Sequence, residues 1–211
     1  MTGRAIMSSP SLNAPDLPRV ITPKRHLDPR GWFSETFHQQ RLDDLGVRCC
    51  FVQDNQSYSA RAGTLRGLHF QLPPHAQAKL IMVLRGRILD VVVDVRRGSS
   101  TYGRHVSVEI TADAGQQVYI PVGFAHGFLT LTDDVLVMYK VSDYYAPASD
   151  GGIRWDDSDL AIPWPMRATG LVVSEKDSRL PRLAEFDSPF AYDGHPLVSL
   201  TSEAGERQIN A

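Results

Sequence analysis

Two histidines sit in company that suits chemistry. His69 lies in Arg66-Gly67-Leu68-His69-Phe70-Gln71, and His126 lies in Gly123-Phe124-Ala125-His126-Gly127-Phe128. Each imidazole is set among apolar residues and glycines, beside stretches that read as strands. In that setting an imidazole binds a metal, moves a proton or satisfies a buried hydrogen bond. Arg66 precedes His69 by three residues and Lys79 follows a short way on, so cations gather where an anionic ligand or a developing oxyanion would sit. Acidic and phenolic partners lie further along: Tyr139, Tyr144, Tyr145 and Asp177. A neutral imidazole oriented by a carboxylate is a competent general base, and a tyrosine is a competent acid.

The elements that must position these groups are mostly strands. Residues 79–84, 87–95, 104–110, 116–120, 127–131 and 135–141 are β-branched or aromatic. Turn signals such as Arg85-Gly86, Arg97-Gly98-Ser99 and Ala114-Gly115 separate them. Many short strands without alternating long helices predict an antiparallel sandwich or barrel. One short helix is expected at 38–45, stopped by Gly46. Beyond 145 the chain is rich in Pro, Asp and Trp and reads as loops wrapping a barrel, with a short helix or two. Residues 1–18 read as a flexible leader.

Composition narrows the classes of function. The chain has 211 residues, of which 42% are hydrophobic and 22% charged, as expected for one globular domain with a real core. A formal net charge of −2 with scattered basic residues speaks against a nucleic-acid partner. Apolar stretches fall far short of the roughly 18 residues a membrane helix needs. No signal peptide is read at the N-terminus. The two cysteines, Cys49 and Cys50, are adjacent, which suits neither a disulfide nor a zinc pair. They read as ordinary small side chains in a reducing, cytoplasmic setting.

Gly115, Pro121, Gly123 and His126 have the spacing Gly-x5-Pro-x-Gly-x2-His, which resembles the second signature of the cupin family of small jelly-roll barrels. That resemblance implies a mainly β fold, a cupin-type jelly-roll β-barrel with a few short helices. Metal-binding cupins usually supply two histidines and a carboxylate from their first signature. Here the position two after His69 is Gln71, no carboxylate follows within reach, and His75 falls in a loop. A site of two histidines alone is incomplete for most first-row metals, so no metal is expected.

Several segments, in order, are similar to the dTDP-4-dehydrorhamnose 3,5-epimerases. They are Arg30-Gly31-Trp32-Phe33-Ser34-Glu35, Phe51-Val52-Gln53-Asp54-Asn55, Leu65 to Gln71, Gln77-Ala78-Lys79-Leu80 and Ile120 to Phe128. Tyr139-Lys140, Tyr144-Tyr145-Ala146-Pro147 and Ser174-Glu175-Lys176-Asp177 follow. The resemblance covers about residues 19–183 and leaves 184–211 as an extension without an assigned role.

The resemblance implies cofactor-free inversion of carbons beside the ketone of a dTDP-linked 4-keto-6-deoxyhexose. His69 would be the base, Asp177 its orienting carboxylate and Tyr139 the acid on the opposite face. Lys79 would sit near the ketone oxygen and His126 near the sugar or phosphate. Arg30, Glu35, Gln53, Asp54, Asn55 and Arg66 would bind the nucleotide and its diphosphate. Tyr145 would stack on thymine, and Lys176 would approach the substrate. Asp150 would stand where the family commonly has glutamate. Family membership also implies a homodimer in which an N-terminal strand near Arg30–Glu35 crosses to the partner. Three other readings compete: an epimerase acting at C3 or C5 alone, a non-catalytic sugar-nucleotide binder, and a metal-dependent cupin. Plainer roles also exist for single residues, such as solvated surface charges for Glu35 and Asp150.

Overall fold

The computed structural model describes residues 16–165 and 170–200, with the backbone of 202–204. Its strands form two facing sheets and a separate hairpin. One sheet holds β1 (Arg19–Thr22), β4 (Gln53–Ser59), β6 (Lys79–Arg85), β9 (Gln117–Ile120), β11 (Val135–Val141) and β14 (Ser202–Ala204), in the order β14-β1-β9-β6-β11-β4. The other holds β5 (Thr64–Gln71), β7 (Arg87–Asp94), β8 (His105–Thr111), β10 (Phe124–Thr130) and β12 (Asp150–Gly152), in the order β12-β5-β10-β7-β8. The short β13 (Val172–Val173) runs parallel to the start of β5. β2 (Arg25–Asp28) and β3 (Gly31–Ser34) pair only with each other. This is the expected mainly β barrel of the cupin type.

Strand β7 shows why the second sheet is so apolar. Ile88 and Val92 point between the sheets, in one cluster with Val83, Val118, Phe128 and Val137. Val91 and Val93 point the other way, into a second cluster with Leu68, Phe70, Ile153 and Phe190. Alternation along the strand therefore buries both faces, because the chain beyond 145 covers the outside of this sheet. Each such side chain contributes about 2 kcal/mol of burial, against the entropy of ordering it.

The predicted strands beginning at 79, 87 and 135 occur as β6, β7 and β11. The helix expected at 38–45 is α1 (Gln39–Asp44), and Gly46 with φ +83° follows it. The span expected at 127–131 starts earlier, as β10, so His126 lies within a strand and not in the preceding turn. A second short helix, α2 (Glu175–Ser178), is capped by the Ser174 side chain, which accepts from the Asp177 N–H. Residues 1–15 of the expected leader lie outside the described residues. Leu17, within the expected leader, is buried in the inter-sheet cluster. Cys49 and Cys50 are free thiols, and burial raises Cys49 to about 11.

Candidate active site

A β-bulge decides which side chains of β5 face inward. His69 lies opposite His126 and Arg66 opposite Phe128, so β5 fits three steps where β10 takes two. The extra residue falls at Gly67–Leu68. Gly67 has φ +132°, and a Cβ there would lie 2.5 Å from the Gly127 Cα, so only glycine fits this approach. Simple alternation would send Arg66 and His69 to opposite faces. With the bulge, both line one cavity between the sheets.

That cavity, about 420 Å³, continues into a second lobe of about 330 Å³. His69, Lys79, Tyr139 and Lys176 border both lobes. Arg66, His126 and Asp177 line the first, and Gln53, Asn55, Tyr145 and Asp150 the second. His69 belongs to β5 of one sheet, and Tyr139 and Lys79 belong to β11 and β6 of the other. An imidazole and a phenol therefore approach the same space from opposite walls.

Asp177 holds the His69 imidazole. Its Oδ1 lies 2.8 Å from His69 Nε2, and its Oδ2 accepts the Gly67 N–H at 3.1 Å. One carboxylate thus ties the imidazole to the bulge. Burial pushes the Asp177 carboxyl up, but hydrogen bonds from His69 and Gly67 outweigh it and hold the group below the usual carboxylate range. An ionised Asp177 accepts from Nε2–H and leaves Nδ1 as the basic nitrogen. The His69 side chain keeps 29% exposure, against 5% for Asp177.

His126 has a similar partner and a different setting. Its Nε2 lies 2.8 Å from Asp90 Oδ2, with side-chain exposures of 7% and 0%. Burial lowers its basicity, only partly offset by Asp90. Asp90 Oδ1 is buried without a hydrogen-bond partner among the described residues. Asp90 was not singled out from the sequence, although a carboxylate inside Ile88-Leu89-Asp90-Val91 is itself a signal. Ser57 was also missed. It lines the first lobe, and its buried hydroxyl has no partner among the described residues.

Two further groups are tuned by burial. The Lys79 ammonium donates to the His69 carbonyl at 3.2 Å. Burial pulls it down to about 8, with Asp150 and Asp90 opposing and Lys176 assisting. Burial raises the Tyr139 phenol above its ordinary value, eased by the Arg66 charge. At the mouth, Asp150 pairs with Lys176 and accepts from the Tyr145 hydroxyl at 3.3 Å. Gln71, at the position where a metal cupin has histidine, accepts from the Ala146 N–H at 2.8 Å and fixes the loop that carries Tyr145. Among the described residues, no group of three or more His, Cys, Asp or Glu is arranged to hold a metal ion.

Three of the expected binding residues are not brought to this cleft. Asp54 alternates with Gln53 and Asn55, so it faces the outside of β4 and pairs with Lys140 at 2.8 Å. Arg30 sits at the tip of the β2–β3 hairpin and pairs with Asp28 at 2.6 Å. Glu35 pairs with Arg41 at 3.2 Å.

Comparison with known proteins identifies the family. A family profile described as dTDP-4-dehydrorhamnose 3,5-epimerase matches residues 15–185. A protein of that name from Sinorhizobium fredii is 47% identical over 178 residues, covering 82% of this chain and 89% of the relative. The crystal structure of the Bacillus anthracis dTDP-4-dehydrorhamnose 3,5-epimerase with TDP and pyrophosphate bound superposes with a TM-score of 0.76 at 47% identity, covering 78% of this chain and 93% of that one. The Legionella pneumophila dTDP-6-deoxy-D-glucose-3,5-epimerase in complex with dTDP-4-keto-L-rhamnose gives a TM-score of 0.79 at 40% identity, covering 84% and 94%. On its sequence and its fold, the chain belongs to the dTDP-4-dehydrorhamnose 3,5-epimerase family.

Proposed function

We propose that this protein is an isomerase that inverts C3 and C5 of dTDP-4-dehydro-6-deoxyglucose to give dTDP-4-dehydrorhamnose. A ketone at C4 acidifies the protons on both neighbouring carbons, because the carbanion left behind delocalises into an enolate. Inversion needs a base on one face, an acid on the other and a group that stabilises the oxyanion. The observation that carries this reading is the opposition of His69 and Tyr139 across one cavity, with Lys79 between the lobes.

His69 removes the proton, and Asp177 supports the imidazolium that forms. Tyr139 returns a proton to the opposite face. The Lys79 ammonium favours charge on O4, and polar donors of this kind are worth about 3 kcal/mol in a water-poor site. These steps use the chain's own groups and call for neither metal nor organic cofactor. The second lobe takes the nucleotide: Tyr145 offers a flat partner to thymine, and Gln53, Asn55, Asp150 and Lys176 offer polar contacts. Arg66 and His126 hold the sugar and diphosphate from the first lobe.

The assembly we propose is a homodimer in which the β2–β3 hairpin reaches the partner. Leu27, Trp32 and Phe33 on that hairpin are exposed apolar side chains, the kind of surface an interface covers. Arg30 and Glu35 would then serve the partner's nucleotide site. Light scattering at micromolar concentration is expected to give a dimer, and a monomer would contradict this part. A cytoplasmic location fits a chain in which no described helix is long and apolar enough to cross a membrane.

The test is to incubate the protein with dTDP-4-dehydro-6-deoxyglucose in deuterated water. Deuterium is expected at both C3 and C5. Label at one carbon alone would leave a single-site epimerase, and binding with no exchange would leave a non-catalytic binder.

A further inference from the structure

Residues 186–200 lie past the stretch that matches the family profile, yet they are anchored to the barrel repeatedly. The Ser188 hydroxyl donates to the Val95 carbonyl. The Arg97 N–H donates to the Phe190 carbonyl at 2.8 Å, and the Leu197 N–H donates to Thr101 Oγ1 at 2.8 Å. Between these points stands Arg96, held by both oxygens of buried Asp94. Its guanidinium donates to Asp193 at 2.9 Å and to the His195 carbonyl at 3.0 Å. The segment is a strap, fixed by directional bonds on either side of Phe190.

What the strap holds is the strand that carries the base. Phe190, 5% exposed, meets the Phe70 ring edge-on at 5.6 Å, and Phe186 lies 4.9 Å from the same ring. Phe70 sits on the outer face of β5 between His69 and Gln71, the residue that fixes the Tyr145 loop. On its edge away from β10, β5 is paired by the short β12 and β13, and the Phe186 and Phe190 rings back it from outside at Phe70. Backbone pairing sets the register of β5, and packing behind the strand sets how closely the side chain next to Phe70 keeps its direction into the cavity. We infer that Phe186 and Phe190 are positioning residues for the proton transfer, holding β5 from outside so that His69 stays opposed to Tyr139. This rests on the reading of His69 as the base.

The test compares Phe190→Ala with the full-length wild type, assayed well below the unfolding midpoint. The expected result is a fall in kcat of about tenfold from slight misplacement of the base. KM and dTDP affinity should be unchanged, and Phe190→Leu should recover most of the rate. If Phe190→Ala does not fold, Asp193→Ala carries the test, because it loosens the strap at a surface anchor without emptying the core. It should show the same split between kcat and KM in weaker form. A folded variant with wild-type kcat overturns the inference, whatever its loss of stability. A wild type that exchanges no substrate proton would instead overturn the proposed function, and the strap's role with it.

Discussion

Two histidines on neighbouring strands each meet a carboxylate oxygen at 2.8 Å, one pair at the cleft wall and one within the barrel. Asp177 reaches His69 from the capped turn of α2, outside the sheet, and leaves the imidazole partly open to the cavity. Asp90 reaches His126 from the adjacent strand, and only the edge of the imidazole meets the cavity. The difference in burial has a chemical consequence. A partly open imidazole held by its carboxylate can meet a substrate proton in the cavity. A fully buried one resists charging, as the lowered basicity of His126 shows. In the proposed mechanism the same two residue types make a proton-transfer pair in one place and a fixed hydrogen-bonding post in the other.

Asp177→Asn should have the largest effect among the partners. It removes the carboxylate that supports the imidazolium, and kcat should fall about 100-fold or more with dTDP binding intact. Asp90→Ala should act mainly on folding. Leaving buried His126 without its partner costs about 2 kcal/mol, read as a lower denaturation midpoint, with a smaller loss of kcat than Asp177→Asn. An Asp90→Ala protein of native stability that loses 100-fold in rate would reverse the two roles.

The smallest expected effect is on pH dependence. In the proposed mechanism Lys79 must be protonated to favour the enolate, and burial pulls its ammonium down to about 8. The value of kcat/KM should therefore fall as pH rises through that value. In Lys79→Arg, whose charge persists, the alkaline fall should move upward. A fall that stays near 8 in that variant would point to another group.

The strands were legible because β-branched runs and Gly turns mark them, and α1 because Gly46 stops it. Asp54 could also have been set aside from sequence, since alternation gives Gln53 and Asn55 one face and Asp54 the other. The bulge was not legible. Its cause is the close approach of Gly67 to Gly127, a tertiary contact between segments far apart in the chain. Nor could spacing have joined His69 to Asp177 across 108 residues; that pairing came from family resemblance alone. Phe186 and Phe190 lie in the extension without an assigned role, and their seat against Phe70 depends on the whole barrel wall.

The measurement that bears most directly on these roles is solvent deuterium exchange into the substrate by His69→Asn and His126→Asn, run side by side. His69→Asn should lose exchange at both C3 and C5 by about 1000-fold while still binding dTDP. His126→Asn should keep readily measured exchange, with its defect in KM. Native exchange by His69→Asn, or an equal loss in both variants, would contradict the assignment of the base to the cleft-facing pair.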